Sequence, residues 1–161
     1  MASTARRSSI RARPLLVGAA VFVAAGGYVH LREWLDTYRA VPAAAPGSTL
    51  VRVGFPLDAG ISLLLTVALL YCAVRRNRWS VAILVSAIVF QAGSLAVLIG
   101  TRIGSVAGWA EPIWTTGASQ SRAVEIGALV AMVAAAVIDG MEHRADPRRP
   151  EHAKRRAATT T

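Results

Sequence analysis

The chain has 161 residues, of which 54% are hydrophobic and 17% charged, with a mean hydropathy of +0.46. Soluble domains carry about 25% charged residues, so composition excludes an ordinary water-soluble fold. The net charge of +9 alone suggests nucleic acid, but the arginines lie between long apolar blocks. That distribution belongs to a membrane protein, and no nucleic-acid partner is expected.

A lone cysteine, Cys72, excludes an intrachain disulfide, a CxxC redox pair and a cysteine zinc cluster. His143 and His152 sit in a charged tail, leaving His30 as the one histidine near an apolar block. There is no GxxxxGK[ST], HExxH or GxSxG motif. No catalytic residue, cofactor or metal is therefore expected.

Residues 1–13 are polar and arginine-rich, and are predicted to be a disordered basic segment. The first apolar block runs from Pro14 to Leu31 and contains LLVGAAVFVAAGGYV. A basic stretch before an apolar one also fits a signal peptide, but its length and flanks favour an uncleaved span. HLREWLDTYRAVP should extend the first helix to Ala40, supported by the i,i+4 pair Arg32–Asp36. AAAPGST is a loop. The second span is expected at 57–74, the third at 80–101 and the fourth at 123–138.

Between the third and fourth spans, RIGSVAGWAEPIWTTGASQS should lie along the membrane interface. Residues 142–161 form a second basic segment expected to be disordered. No proline is expected inside a span, and Trp34, Trp79, Trp109 and Trp114 fall at or beyond span ends. Spans need roughly 20 apolar residues, and lipid leaves helices as the form for them. The predicted fold is all-α: an antiparallel four-helix transmembrane bundle over residues 14–141.

Thirteen basic residues fall on the side of the two termini and the loop between spans two and three, against five on the other side. The positive-inside rule then predicts a plasma-membrane protein with both termini cytoplasmic. The expected partner is the lipid bilayer, with another membrane protein or self-association added to it.

Polar groups within spans are the first functional candidates, because lipid makes them expensive. Topology puts His30, Asp58, Arg102 and Glu125 near the same end of their helices, where they could form one polar cluster. Asp58, Ser62 and Thr66 form a polar stripe at four-residue spacing. Gln91 in span three, and the small residues Gly127, Ala131 and Ala135 in span four, are expected to mediate helix packing.

The stretches GGYVHLREWLDTYRAVP and GFPLDAGISLLLTVALL, with Glu125 opening RAVEIGALV, resemble small four-span membrane proteins of actinobacteria. Seventeen arginines to one lysine fit such a GC-rich source. The resemblance covers about residues 14–140 and implies an architecture, not an activity. Two functional readings remain. The favoured one is a non-enzymatic structural, accessory or partner-binding membrane protein. The alternative is a small transporter or ligand-binding bundle built on the polar cluster.

Overall fold

The computed structural model describes residues 3–75 and 79–144. Among them are four helices in antiparallel order: α1 (Ser3–Asp36), α2 (Ser48–Val74), α3 (Ser80–Ile103) and α4 (Thr116–Arg144). A single 3-10 turn, Tyr38–Ala40, follows α1. All four helices are long and apolar enough to cross a membrane. The all-α four-helix architecture is as the sequence predicts.

The helices are longer than expected, for identifiable reasons. α1 starts at Ser3, so residues 3–13 continue the helix instead of being disordered. Ala, Arg and Ser carry small helix costs, and a helix already packed downstream propagates through them. The rest of the terminal expectation, residues 1–2 and 145–161, lies outside the described residues. Pro14 and Pro56 both stand inside helices, against the expectation that none would. α2 begins nine residues before position 57, at Ser48, after Gly47 turns the chain at φ 68°. The Ser48 hydroxyl donates to the Ala43 carbonyl, 2.8 Å away. α4 begins at Thr116, with the Thr115 hydroxyl capping the Ala118 N–H at 3.1 Å.

α1 is the central helix and packs extensively on α2 and α4, whereas α3 packs on α4 and only lightly on α2. Its buried stripe is Ala12, Leu16, Ala19, Val23 and His30, a heptad-like spacing. The core joins Val23 of α1 with Leu69 and Cys72 of α2, Ala87 of α3, and Ala128 and Met132 of α4. Small residues predominate, which lets backbones approach closely where lipid supplies no hydrophobic drive between helices.

On α4 the buried stripe is Ser121, Glu125, Ala128, Met132 and Ala135. The predicted Gly127–Ala131–Ala135 face thus shares Ala135 and is otherwise a flank. Gly127 lies under Phe22, whose ring would stand 2.9 Å from an added Cβ. Ala131 packs at the edge of the core. Gln91 is buried in the middle of α3 at 2% exposure.

The segment 104–115 folds over the end of the bundle rather than running along its side. Val106 and Trp109 exchange backbone hydrogen bonds of 2.9 Å across a turn with positive φ at Ala107 and Gly108. That turn abuts Gly47, where any Cβ would run into the Trp109 backbone. Both long connections therefore meet at one end, termed here the two-loop end.

Candidate functional site

The site is built on a notch in α1. A Cβ on Gly27 would stand 2.7 Å from Ser62 Cβ, and one on Gly26 3.5 Å from Val124 Cγ2. The two glycines thus draw α2 and α4 onto opposite flanks of α1. One turn further on, His30 enters the space between α2 and α4. Asp58 stands one turn before Ser62, and Glu125 immediately follows Val124.

The result is a buried polar centre with a contribution from every helix. His30 Nε2 lies 3.0 Å from Glu125 Oε1 and 3.7 Å from Asp58 Oδ1. Ser121 Oγ is 3.1 Å from His30 Nε2 and donates to Glu125 Oε1 at 3.2 Å. Ser62 Oγ donates to Asp58 Oδ1 at 3.3 Å. Phe55 closes one side, edge-on to the imidazole at 5.1 Å. Glu125 is 1% exposed and His30 8%.

Ser94 joins the two acids. Its Oγ is 2.9 Å from Asp58 Oδ2 and 2.9 Å from Glu125 Oε1. A hydroxyl has one hydrogen to donate. Both contacts are satisfied together only when one carboxyl carries a proton and donates to the serine. Glu125 Oε2 is buried with no hydrogen-bond partner, a cost much lower for a neutral carboxyl than for a charged one. Ser94 thus bridges the carboxyls of Asp58 and Glu125.

Arg102 does not join this centre, contrary to the cluster expected from sequence. It stands two turns beyond Ser94 on α3, about 12 Å along the helix, and Glu111 is nearer. Arg102 Nη1 pairs with Glu111 Oε2 at 2.9 Å and also donates to the Glu111 carbonyl. Tyr38 Oη donates to the same carboxylate oxygen at 2.7 Å, and the Glu111 N–H donates to Thr101 O at 2.9 Å. Burial and that carboxylate raise the Tyr38 phenol above the ordinary tyrosine range. Trp114 lies beneath the guanidinia of Arg122, at 4.5 Å, and Arg102, at 5.6 Å. This second group clamps the 104–115 loop over the bundle.

Between the two groups is a cavity of about 340 Å³. His30, Asp58 and Ser94 line one part, Arg102 and Glu111 another, and Phe55, Phe90 and Leu98 the apolar wall. Sequence reasoning missed Glu111, Tyr38 and Ser121. Ser121 had a signal, its i,i+4 spacing to Glu125; Glu111 lies in an aperiodic loop and had none. Among the described residues, no group of three or more His, Cys, Asp and Glu side chains is arranged to hold a metal ion.

No protein-family model, curated protein or solved structure matches this chain.

Proposed function

We propose that this protein spans the plasma membrane four times, with both termini cytoplasmic, and binds a small organic cation in the cavity at its two-loop end. One observation carries the reading: His30 and Asp58, backed by Glu125 at 3.0 Å from the imidazole, face a cavity walled elsewhere by Phe55, Phe90 and Leu98, with the Arg102–Glu111 pair at its rim. Acidic groups outnumber basic ones in that centre, since Arg102 is engaged by Glu111. An apolar body with one positive charge matches both walls. Orientation rests on the placement of the arginines.

Calorimetric titration of benzyltrimethylammonium into the purified full-length chain tests it. Saturable binding is expected, weakened at least about tenfold, or about 1.4 kcal/mol, by Asp58→Asn or Glu125→Gln. Absence of saturable binding, or binding undiminished in both variants, overturns the reading.

An accessory or partner-binding role is supported by α3. Only 11% of its most apolar stretch is buried within the chain, against 39% for α1. Native mass spectrometry showing only monomers, with lipid retained, would set that role in self-association aside.

A further inference from the structure

The cavity at the two-loop end has a counterpart. A second cavity of about 280 Å³ lies toward the other end of the bundle, bounded by Leu69 of α2, Leu84 and Ile88 of α3, and Ala135 and Asp139 of α4. Both cavities follow α3. The first ends on it at Val89 and Phe90, and the second at Ile88. Between them lies a septum of Gln91, Ala87, Ser62 and Glu125, which are buried and line neither cavity.

Three of its four residues are polar, where tight packing alone would favour small apolar residues throughout. Gln91 is 2% exposed and lies one turn before Ser94, on the same face of α3. The Thr66 hydroxyl is turned back onto the Ser62 carbonyl at 2.7 Å. α3 is the helix least held by its neighbours and packs only lightly on α2. A seam with a cavity at each end, a polar septum between them and one weakly packed wall has the layout of a path across the bundle.

Ser94 Oγ stands 2.9 Å from both Asp58 Oδ2 and Glu125 Oε1, and a proton carried by either carboxyl satisfies both contacts at once; that shared proton is the coupled ion of this proposal. The charged groups facing it are His30 and Glu33 from α1, Asp58 from α2 and Glu125 from α4. α3 offers the Ser94 hydroxyl. Arg102 at the rim is held by Glu111. Entry of one monovalent cation beside Asp58 adds one positive charge, and departure of the shared proton to water removes one. The site keeps its net charge, so each occupant excludes the other.

Resting on the cation-binding reading above, we infer that the protein exchanges an organic cation for a proton across the membrane, along α3 past Gln91. The full-length chain is reconstituted into phospholipid vesicles with an acidic interior, and uptake of radiolabelled benzyltrimethylammonium is followed. This ion carries a fixed charge and cannot cross as a neutral base. Uptake is expected to exceed that of protein-free vesicles, to collapse when the pH gradient is dissipated, and to be lost in Gln91→Leu and Gln91→Met. Both variants should still bind the cation in calorimetry, which shows that they are folded. Binding without uptake by the unaltered chain overturns exchange and leaves the binding reading standing. Uptake indifferent to the pH gradient overturns the proton as coupled ion. Undiminished uptake in both Gln91 variants overturns the path. Absence of binding by the unaltered chain overturns both readings.

Discussion

Trp34 Nε1 donates a 3.0 Å hydrogen bond to the backbone carbonyl of Arg52. That carbonyl stands four residues before Pro56, which has no N–H to offer it. The indole thus replaces the donor missing from the helix, and α2 runs from Ser48 through Pro56 to Val74 without ending. It also ties the last turns of α1 to the first turns of α2, beside the cavity. A proline that reads as a helix boundary in sequence is tolerated because a neighbouring helix satisfies the group it orphans.

Loss of this bond should be costly only while Pro56 is present. Trp34→Phe is expected to remove about 0.5–1.5 kcal/mol of hydrogen bonding, seen as a lower unfolding midpoint in detergent. Pro56→Ala restores the intrahelical donor, so Trp34→Phe should cost less on that background. Equal costs on both backgrounds would show the bond to be incidental.

The α1 notch makes a sharper steric prediction. Gly27→Ala places a Cβ 2.7 Å from that of Ser62, so α1 and α2 must separate and His30 must move away from Asp58. A loss of about 1–3 kcal/mol is expected from such overpacking, with cation binding weakened. Gly18 has nothing within 4 Å of its added Cβ. Gly18→Ala should be neutral or slightly stabilising, because alanine favours helix over glycine. Thermal unfolding of the two variants side by side checks both statements.

The shared level of His30, Asp58 and Glu125 was legible because antiparallel topology fixes depth from position along each span. Their contact depends on Gly26 and Gly27, whose effect follows from which residues face them, and spacing alone does not show that. Arg102 reads into the same group in sequence because its depth is similar. Its partner, Glu111, comes from a loop whose path is set by the Val106–Trp109 turn and Gly47 rather than by periodicity. On α4 the buried stripe is displaced from the small-residue face because alanines occupy both sides of the helix, leaving composition nearly blind to rotation. Prolines 14 and 56 read as helix boundaries in sequence, yet both stand inside helices that start earlier.

The Tyr38–Glu111 contact predicts a distinct alkaline titration. Burial and the carboxylate acceptor raise the Tyr38 phenol above its ordinary range. A raised native value means this contact stabilises fully below about pH 10, the unfolded value, and its contribution is lost as pH rises through the native value. A component of the tyrosinate absorbance should therefore emerge only above the ordinary tyrosine range, and Tyr38→Phe should delete it. An unchanged titration in Tyr38→Phe would contradict the assignment.

Orientation can be read directly on a Cys72→Ala background. Ala44 and Ala110 are exposed in the two long connections. Single cysteines there should react with a membrane-impermeant maleimide in intact cells, whereas a cysteine at Ala2 should react only after lysis. The opposite pattern would reverse the charge-based assignment.

The His30–Glu125 pair gives the most demanding prediction, because it concerns sign rather than size. Glu125→Leu leaves the imidazole with Asp58 at 3.7 Å and Ser121 at 3.1 Å, a poorer set than the 3.0 Å carboxylate it loses. His30→Leu leaves a 1% exposed carboxyl with serine hydroxyls and an oxygen that already lacks a partner. Breaking a buried pair by removing one member costs about 3–5 kcal/mol, whereas replacing both by apolar residues is often close to neutral. The double variant His30→Leu/Glu125→Leu should therefore unfold in detergent at a higher temperature than either single variant, while losing cation binding altogether. Additive losses would mean that the two side chains act independently, each held by its serine neighbours. Recovery of stability without recovery of binding would separate the two roles of the pair: the bundle tolerates its absence, and the cavity does not.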